Sequence, residues 1–166
     1  MELSVCSWEK DAYEMKKSSY MLRAKSVKKM SEPKNICACG SGMMYEKCCG
    51  PYHRGQKAAP TAVALMRSRY AAFIYGKIDY LVSTTLPVKR TADLEEQYRS
   101  VCASTRWIDL EVIGTSAGDP SDKIGRVEFK VSYSESGRIK VYHECSRFRR
   151  KGGKWYYVDA VVDDCF

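Results

Sequence analysis

The sequence predicts an α+β fold, helices first and an antiparallel sheet of about four strands after them. Three observations carry this. Apolar residues after Pro60 recur at spacings of three and four, the signature of a helix with one buried face. From Trp107 the period changes to two, as in a half-buried strand. The alternating runs are then separated by two short turns, Ser134–Gly137 and a second around Gly152–Gly153.

Taken in order, residues 1–30 place Trp8, Ala12, Met15 and Leu22 near one helical face, but lysines surround that stripe and it is thin. We read residues 1–35 as a basic extension, partly helical or disordered, closed by the Pro33 linker. Residues 36–59 form a cysteine module. Residues 60–166 form the main domain. Thr61 is the expected N-cap of a helix carrying Ala62, Leu65, Met66, Tyr70, Phe73 and Ile74, with Arg67, Ser68 and Lys77 on its polar side. Gly76 marks a break, and a short segment follows as far as Pro87. A further helix is expected over 91–104, capped by Thr91. The strands follow: Trp107–Val112, then a loop over 114–123, Val127–Tyr133, Ile139–Phe148 and Trp155–Val162.

With 166 residues and 45% hydrophobic content, the chain can bury a core without disulfide staples. No apolar run approaches the length of a membrane span, and Glu2, Glu9, Asp11 and Glu14 make the start a poor targeting signal. An intracellular location, most simply the cytoplasm, is expected. The formal charge of +8 is concentrated early: residues 1–59 carry 11 Lys/Arg against 6 Asp/Glu, and the remainder 17 against 14. That excess permits attraction to an acidic protein surface, nucleic acid or anionic lipid, without distinguishing them.

The most specific chemical signal is Cys37-Ala-Cys39-Gly-Ser-Gly-Met-Met-Tyr-Glu-Lys-Cys48-Cys49. Four soft thiolates in thirteen residues are the number that a tetrahedral Zn²⁺ requires. Gly40 and Gly42 allow the tight turn that brings the first pair of sulfurs together. His53, just beyond, is the alternative fourth ligand to Cys49. Four protein ligands leave no position for a reacting water, so one zinc held here would be structural. Cys6, Cys102, Cys145 and Cys165 show no ligand spacing, and the last three are expected as buried free thiols.

These cysteines, written C-x-C-G-S-G-x-x-Y-x-x-C-C, resemble the SEC-C motif, the zinc module at the C-terminus of the secretion ATPase SecA. Leu65-Met66-Arg67-Ser68-Arg69-Tyr70-Ala71-Ala72-Phe73, His143-Glu144-Cys145-Ser146-Arg147-Phe148 and Trp155-Tyr156-Tyr157-Val158-Asp159 resemble the YchJ-like family in the same order. The resemblance covers residues 37 to about 162. It implies a nuclear transport factor 2-like domain, a curved antiparallel sheet wrapped around helices as a cone, and it implies Cys37, Cys39, Cys48 and Cys49 as the zinc ligands. Three departures stand out, one of them Asp159-Ala160 in the last strand, where the family usually has Asp-Gly. Cys145 occupies a position where the family commonly has Arg, and the second SEC-C motif that ends many members is not among these residues.

Two functions follow as expectations. The first is a non-enzymatic binding or adaptor protein that docks a protein partner through the SEC-C motif, as that module engages a chaperone in SecA. The second is an enzyme or small-ligand receptor using the cone, with His143, Arg147, Tyr157 and Asp159 as candidate pocket residues. There a carboxylate and an imidazole would form an acid–base pair, or Arg147 would form a structural ion pair with Asp159 or Glu144. An RNA- or ribosome-associated factor is a third. The sequence assigns no partner identity and no oligomeric state.

Overall fold

The chain is described from a computed structural model over residues 36–135, 137–161 and 165. The N-terminal extension, including Lys34, lies outside the described residues, as does Cys6. A turn at Tyr45–Lys47 and a one-turn helix α1 (Gly50–His53) follow the first cysteines. Helix α2 (Ala62–Tyr75), α3 (Ile78–Thr84) and α4 (Leu94–Ser104) precede four strands: β1 (Arg106–Ala117), β2 (Ile124–Glu135), β3 (Arg138–Lys151) and β4 (Lys154–Val161).

Helix α2 is the centre of the molecule. The Thr61 hydroxyl accepts from Ala64 N–H, the expected cap, and Gly76 at φ 62° ends the helix in the left-handed conformation. Leu65, Met66 and Tyr70 pack on Val127, Phe129, Val131, Phe148, Trp155 and Tyr157 of the sheet. Ala72 and Phe73 face Leu81, Leu94, Tyr98 and Val101 of α3 and α4. Ala71 and Tyr75 face the cysteine module. The helix is therefore covered on three sides. For this reason Ser68, expected on a polar face, is fully buried, and Arg67 is turned onto the module.

The strands form one antiparallel meander in the order β1-β2-β3-β4. Irregularities after Trp107 and Val112 bend β1, as bulges do, and help the sheet to curve over the helices. Residues 85–86 cover the β4 edge: Thr85 bridges Tyr157, and Leu86 N–H donates to the Tyr157 carbonyl. The Trp155 indole donates to the Pro60 carbonyl at 3.1 Å, pinning the start of α2 to the last strand. At the same end of α2, Ala62 N–H donates to the Gly118 carbonyl, and Gly118 and Gly125 lie almost against each other beneath Ala62.

Several expectations need correction. Helix α4 starts at Leu94, not at Thr91; the Thr91 carbonyl instead accepts from Leu94 N–H in the turn before it. Strand β1 runs through Gly114 to Ala117, because pairing with β2 continues past the bulge that breaks the alternation. Cys145 and Cys165 are not free thiols: they form a disulfide between β3 and the residues after β4, with Cα atoms 5.5 Å apart. Their spacing of 20 residues spans the β3–β4 hairpin, whose pairing sets Cys145 opposite Val161.

Candidate metal centre and cone interior

The four cysteines converge because a small hairpin carries one pair to the other. Ile36 bridges Met44, and Cys37 N–H donates to the Met43 carbonyl at 2.7 Å. Gly40 and Gly42, both near φ 74°, supply the turn that a side chain would strain. The Tyr45–Lys47 turn then delivers Cys48 and Cys49. All four Sγ atoms lie within 4.8 Å of one another, with Cys39–Cys48 at 3.5 Å and Cys48–Cys49 at 3.8 Å. Sulfurs at about 2.3 Å from one tetrahedral ion stand about 3.8 Å apart, so the donor set fits a metal of zinc's size and softness. Three of the four are buried, and Cys48 is half-buried.

The thiols lie within hydrogen-bonding distance of one another. Cys39 is lowered far below the usual thiol range, first by the hydrogen bond from Cys37. The same bond pushes Cys37 up to about 11. Cys49 is raised further, chiefly by its hydrogen bond to Cys37. Four adjacent thiolates repel, and a cation is what lets all of them ionise.

Hydrogen bonds lock the cluster to α2. Arg67 donates to the Cys39 carbonyl at 2.7 Å, and Ala38 N–H donates to the Tyr75 hydroxyl at 3.0 Å. Ser41 Oγ lies 3.2 Å from Cys48 Sγ. His53, the alternative ligand, is used otherwise. Its Nε2 lies 2.8 Å from the Ser68 carbonyl, which can only accept, so Nδ1 accepts from the Tyr45 hydroxyl at 2.9 Å. Burial pushes its pKa down to about 4, which keeps the ring neutral in this bridge. Ser68 Oγ extends the network to the Tyr80 hydroxyl at 2.7 Å.

The cone interior is nearly filled. A cavity of about 40 Å³ remains, lined among others by Arg69, Phe129, Glu144, Ser146 and Tyr157. Of the four candidate pocket residues, Tyr157 alone lines it. His143 is exposed and lies 2.7 Å from Glu128. Arg147 and Asp159 form a two-bonded ion pair at 2.6 and 2.8 Å, joined by Lys89 at 3.2 Å. Strand parity explains the separation: Glu144, Ser146 and Phe148 point inward, so His143 and Arg147 point out. The residues missed are Arg69, Glu144 and Ser146. Arg69 donates to the Leu81 carbonyl, Thr84 Oγ1 and the Tyr98 hydroxyl, with its guanidinium 4.7 Å from the Tyr157 ring. Ser146 donates to Glu144 at 2.5 Å. The signal for Arg69 was its position three residues after Met66 and four after Leu65, inside the apolar stripe.

The comparisons with known proteins agree with this architecture. Residues 61–160 match the family model described as YchJ, middle NTF2-like domain. A UPF0225 protein of Geobacter sulfurreducens is 40% identical over 126 residues, which is 76% of this chain and 78% of the relative. One of Streptomyces coelicolor is 44% identical over 132 residues, 80% of this chain and 99% of the relative. This chain belongs to the YchJ-like family. The solution structure of a SEC-C motif containing protein from Rhodopseudomonas palustris is 36% identical with a TM-score of 0.70, covering 78% of this chain and 99% of that one. A crystal structure of a SEC-C motif containing protein from Psychrobacter arcticus is 30% identical with a TM-score of 0.63, covering 78% and 83%. Like its family, the chain couples a four-cysteine SEC-C cluster to an NTF2-like cone. Among the described residues no helix is long and apolar enough to cross a membrane.

Proposed function

We propose that this chain is a docking protein without a reaction of its own. Cys37, Cys39, Cys48 and Cys49 hold one structural Zn²⁺, and the surface around them binds an acidic protein partner. The observation that carries this is the module's outer face. Ile36, Met43 and Met44 are exposed at 63%, 51% and 45%, on the two short segments that the cluster holds together. Lys47, Arg54 and Lys57 are exposed on the same module, with Arg54 bound in part to Glu46. Exposed methionines on a module that also exposes basic side chains suit an adaptable apolar contact steered by charge. Zinc would shape this face and supply no bond to a substrate.

The receptor or enzyme reading ranks second. A cavity of about 40 Å³ has room for a few waters, not for an organic substrate. The candidate acid and base, Asp159 and His143, each have a different charged partner.

Affinity capture tests the proposal with three forms: wild type, Met43→Ser/Met44→Ser, and Cys48→Ser/Cys49→Ser. One partner that binds the wild type and is lost from both variants is the expected result, with zinc near one per chain in the first two forms. A partner retained by every form would overturn the docking face. Zinc near zero in protein purified under reducing conditions would overturn the ligand assignment. Binding to RNA that falls steeply with salt would replace the protein partner with nucleic acid.

A further inference from the structure

The outer face of the sheet, far from the cysteine module in the sequence, carries an unusual concentration of positive charge. Arg126 on β2 and Arg147 on β3 are direct cross-strand partners, and Arg149 follows on the same face of β3 opposite Ile124. Like charges set directly opposite in a sheet repel. Arg147 is answered by Asp159, but Asp159 also serves Lys89, so among the described residues positive charge is in excess here. Among the described residues Arg149 has no ion-pair partner. The three arginines border a concavity of about 560 Å³, a volume typical of small-molecule sites. Its apolar lining includes Ile124 and Val158. One further group reaches this place. Cys165, held to β3 by the Cys145 disulfide, presents its carbonyl oxygen 3.2 Å from the Arg126 guanidinium.

We propose that this concavity binds a small organic phosphate, its phosphoryl group between Arg126, Arg147 and Arg149 and its body over Ile124 and Val158. The Cys145–Cys165 disulfide controls the site by keeping the Cys165 carbonyl on Arg126. Guanidinium forks match phosphate oxygens in geometry as well as charge, which a backbone carbonyl does not. Four free clustered cysteines suit a reducing medium, and there a disulfide whose Cys165 is only half-buried is open to exchange. A glutathione-type thiolate attacks Cys165 Sγ, and the Cys145 sulfur leaves as a thiolate and is protonated. A second such thiol attacks the mixed disulfide, releasing the Cys165 thiol and one oxidised dimer of the reductant. Two electrons and two protons thus pass to the cysteine pair, and Arg126 is freed.

Isothermal titration with phenyl phosphate tests this on the disulfide-bonded full chain, on the Cys165→Ser variant and on Cys145→Ser. Both variants are expected to bind about tenfold more tightly than the bonded form, the worth of one charge-assisted hydrogen bond regained. In the Cys165→Ser background, Arg126→Ala and Arg149→Ala should each weaken binding by about tenfold, with circular dichroism unchanged because both side chains are exposed. Inorganic phosphate should bind more weakly than phenyl phosphate, since it lacks the apolar body. The proposal is overturned if no probe binds either cysteine variant, if the bonded and unbonded forms bind alike, or if Arg149→Ala changes nothing. Preference for a single-stranded oligonucleotide over phenyl phosphate would overturn the small-ligand assignment.

Discussion

Arg69 carries a permanent charge into the core and is met there by a backbone carbonyl, hydroxyl groups and the faces of Tyr98 and Tyr157. Its planar fork is what lets one residue of α2 hold both α3 and α4. A lysine has one charged centre and cannot span them, so Arg69→Lys should destabilise by roughly 2–4 kcal/mol in urea unfolding. Asp159 is the other buried charge with a readable consequence. Burial alone would raise its carboxyl, but hydrogen bonds from Arg147 and Lys89 outweigh that, and its net shift is downward. A depressed folded pKa means the unfolded state binds the proton more readily. The stabilisation is therefore complete above the ordinary carboxylate value of about 3.9 and is lost as pH falls below it. Asp159→Asn should lower stability at pH 7 and flatten the acid limb of the curve of stability against pH; an acid limb identical to wild type would refute the linkage. At this scale the sequence was only partly legible. Cysteine spacing announced the cluster, because ligand chemistry demands few residue types. The choice among His143, Arg147, Tyr157 and Asp159 could not be made, because strand parity does not say which face lies inside.

Among the elements, α2 shows why periodicity located the helix but misjudged its surroundings. A stripe at spacings of three and four reveals one buried face. Ser68 is buried because further bodies, the α3–α4 pair and the cysteine module, pack on what reads as the polar side, while Arg69 is buried within the stripe itself, against α3 and α4. Their polar groups are satisfied internally, a fact that composition does not carry. Strand period, by contrast, placed all four strands, and erred at β1, where bulges break the alternation without ending the pairing. The seam between α2 and the β1–β2 loop depends on glycine. A Cβ on Gly125 would stand 2.6 Å from Gly118 Cα and 2.9 Å from Ala62 Cβ. None of these atoms is the end of a flexible side chain, so backbone must move. Gly125→Ala should cost more than about 2 kcal/mol in chemical denaturation. Gly137→Ala, with open space around it but φ 77°, should cost only about 1 kcal/mol. Equal costs at the two sites would remove close packing as the explanation.

For the whole molecule, the question is whether the Zn²⁺ proposed for the four cysteines would hold one lobe or the entire fold. The sheet, α3 and α4 bury cores of their own, with no cysteine of the cluster in them. The module's core is shared: Cys37, Cys39, Tyr45 and Cys49 pack with Ala71 and Tyr75 of α2. Polar links follow the same seam, from Arg67 to Cys39 and from His53 to Ser68. Losing the metal should therefore release residues 36–53, and α2 should lose cover on one of its three sides while keeping two. Cys39→Ser, or chelation of the wild type, is expected to abolish protection from hydrogen exchange across 37–53. It should leave the protection of β2 and β3 in place and lower the thermal midpoint of the remaining domain by several degrees, since uncovering Ala71 and Tyr75 costs about 1–2 kcal/mol. Two transitions should replace one in calorimetry at low zinc. Full loss of sheet protection on chelation would show that the cone cannot stand without its module, and an unchanged midpoint would show that the seam along α2 contributes nothing.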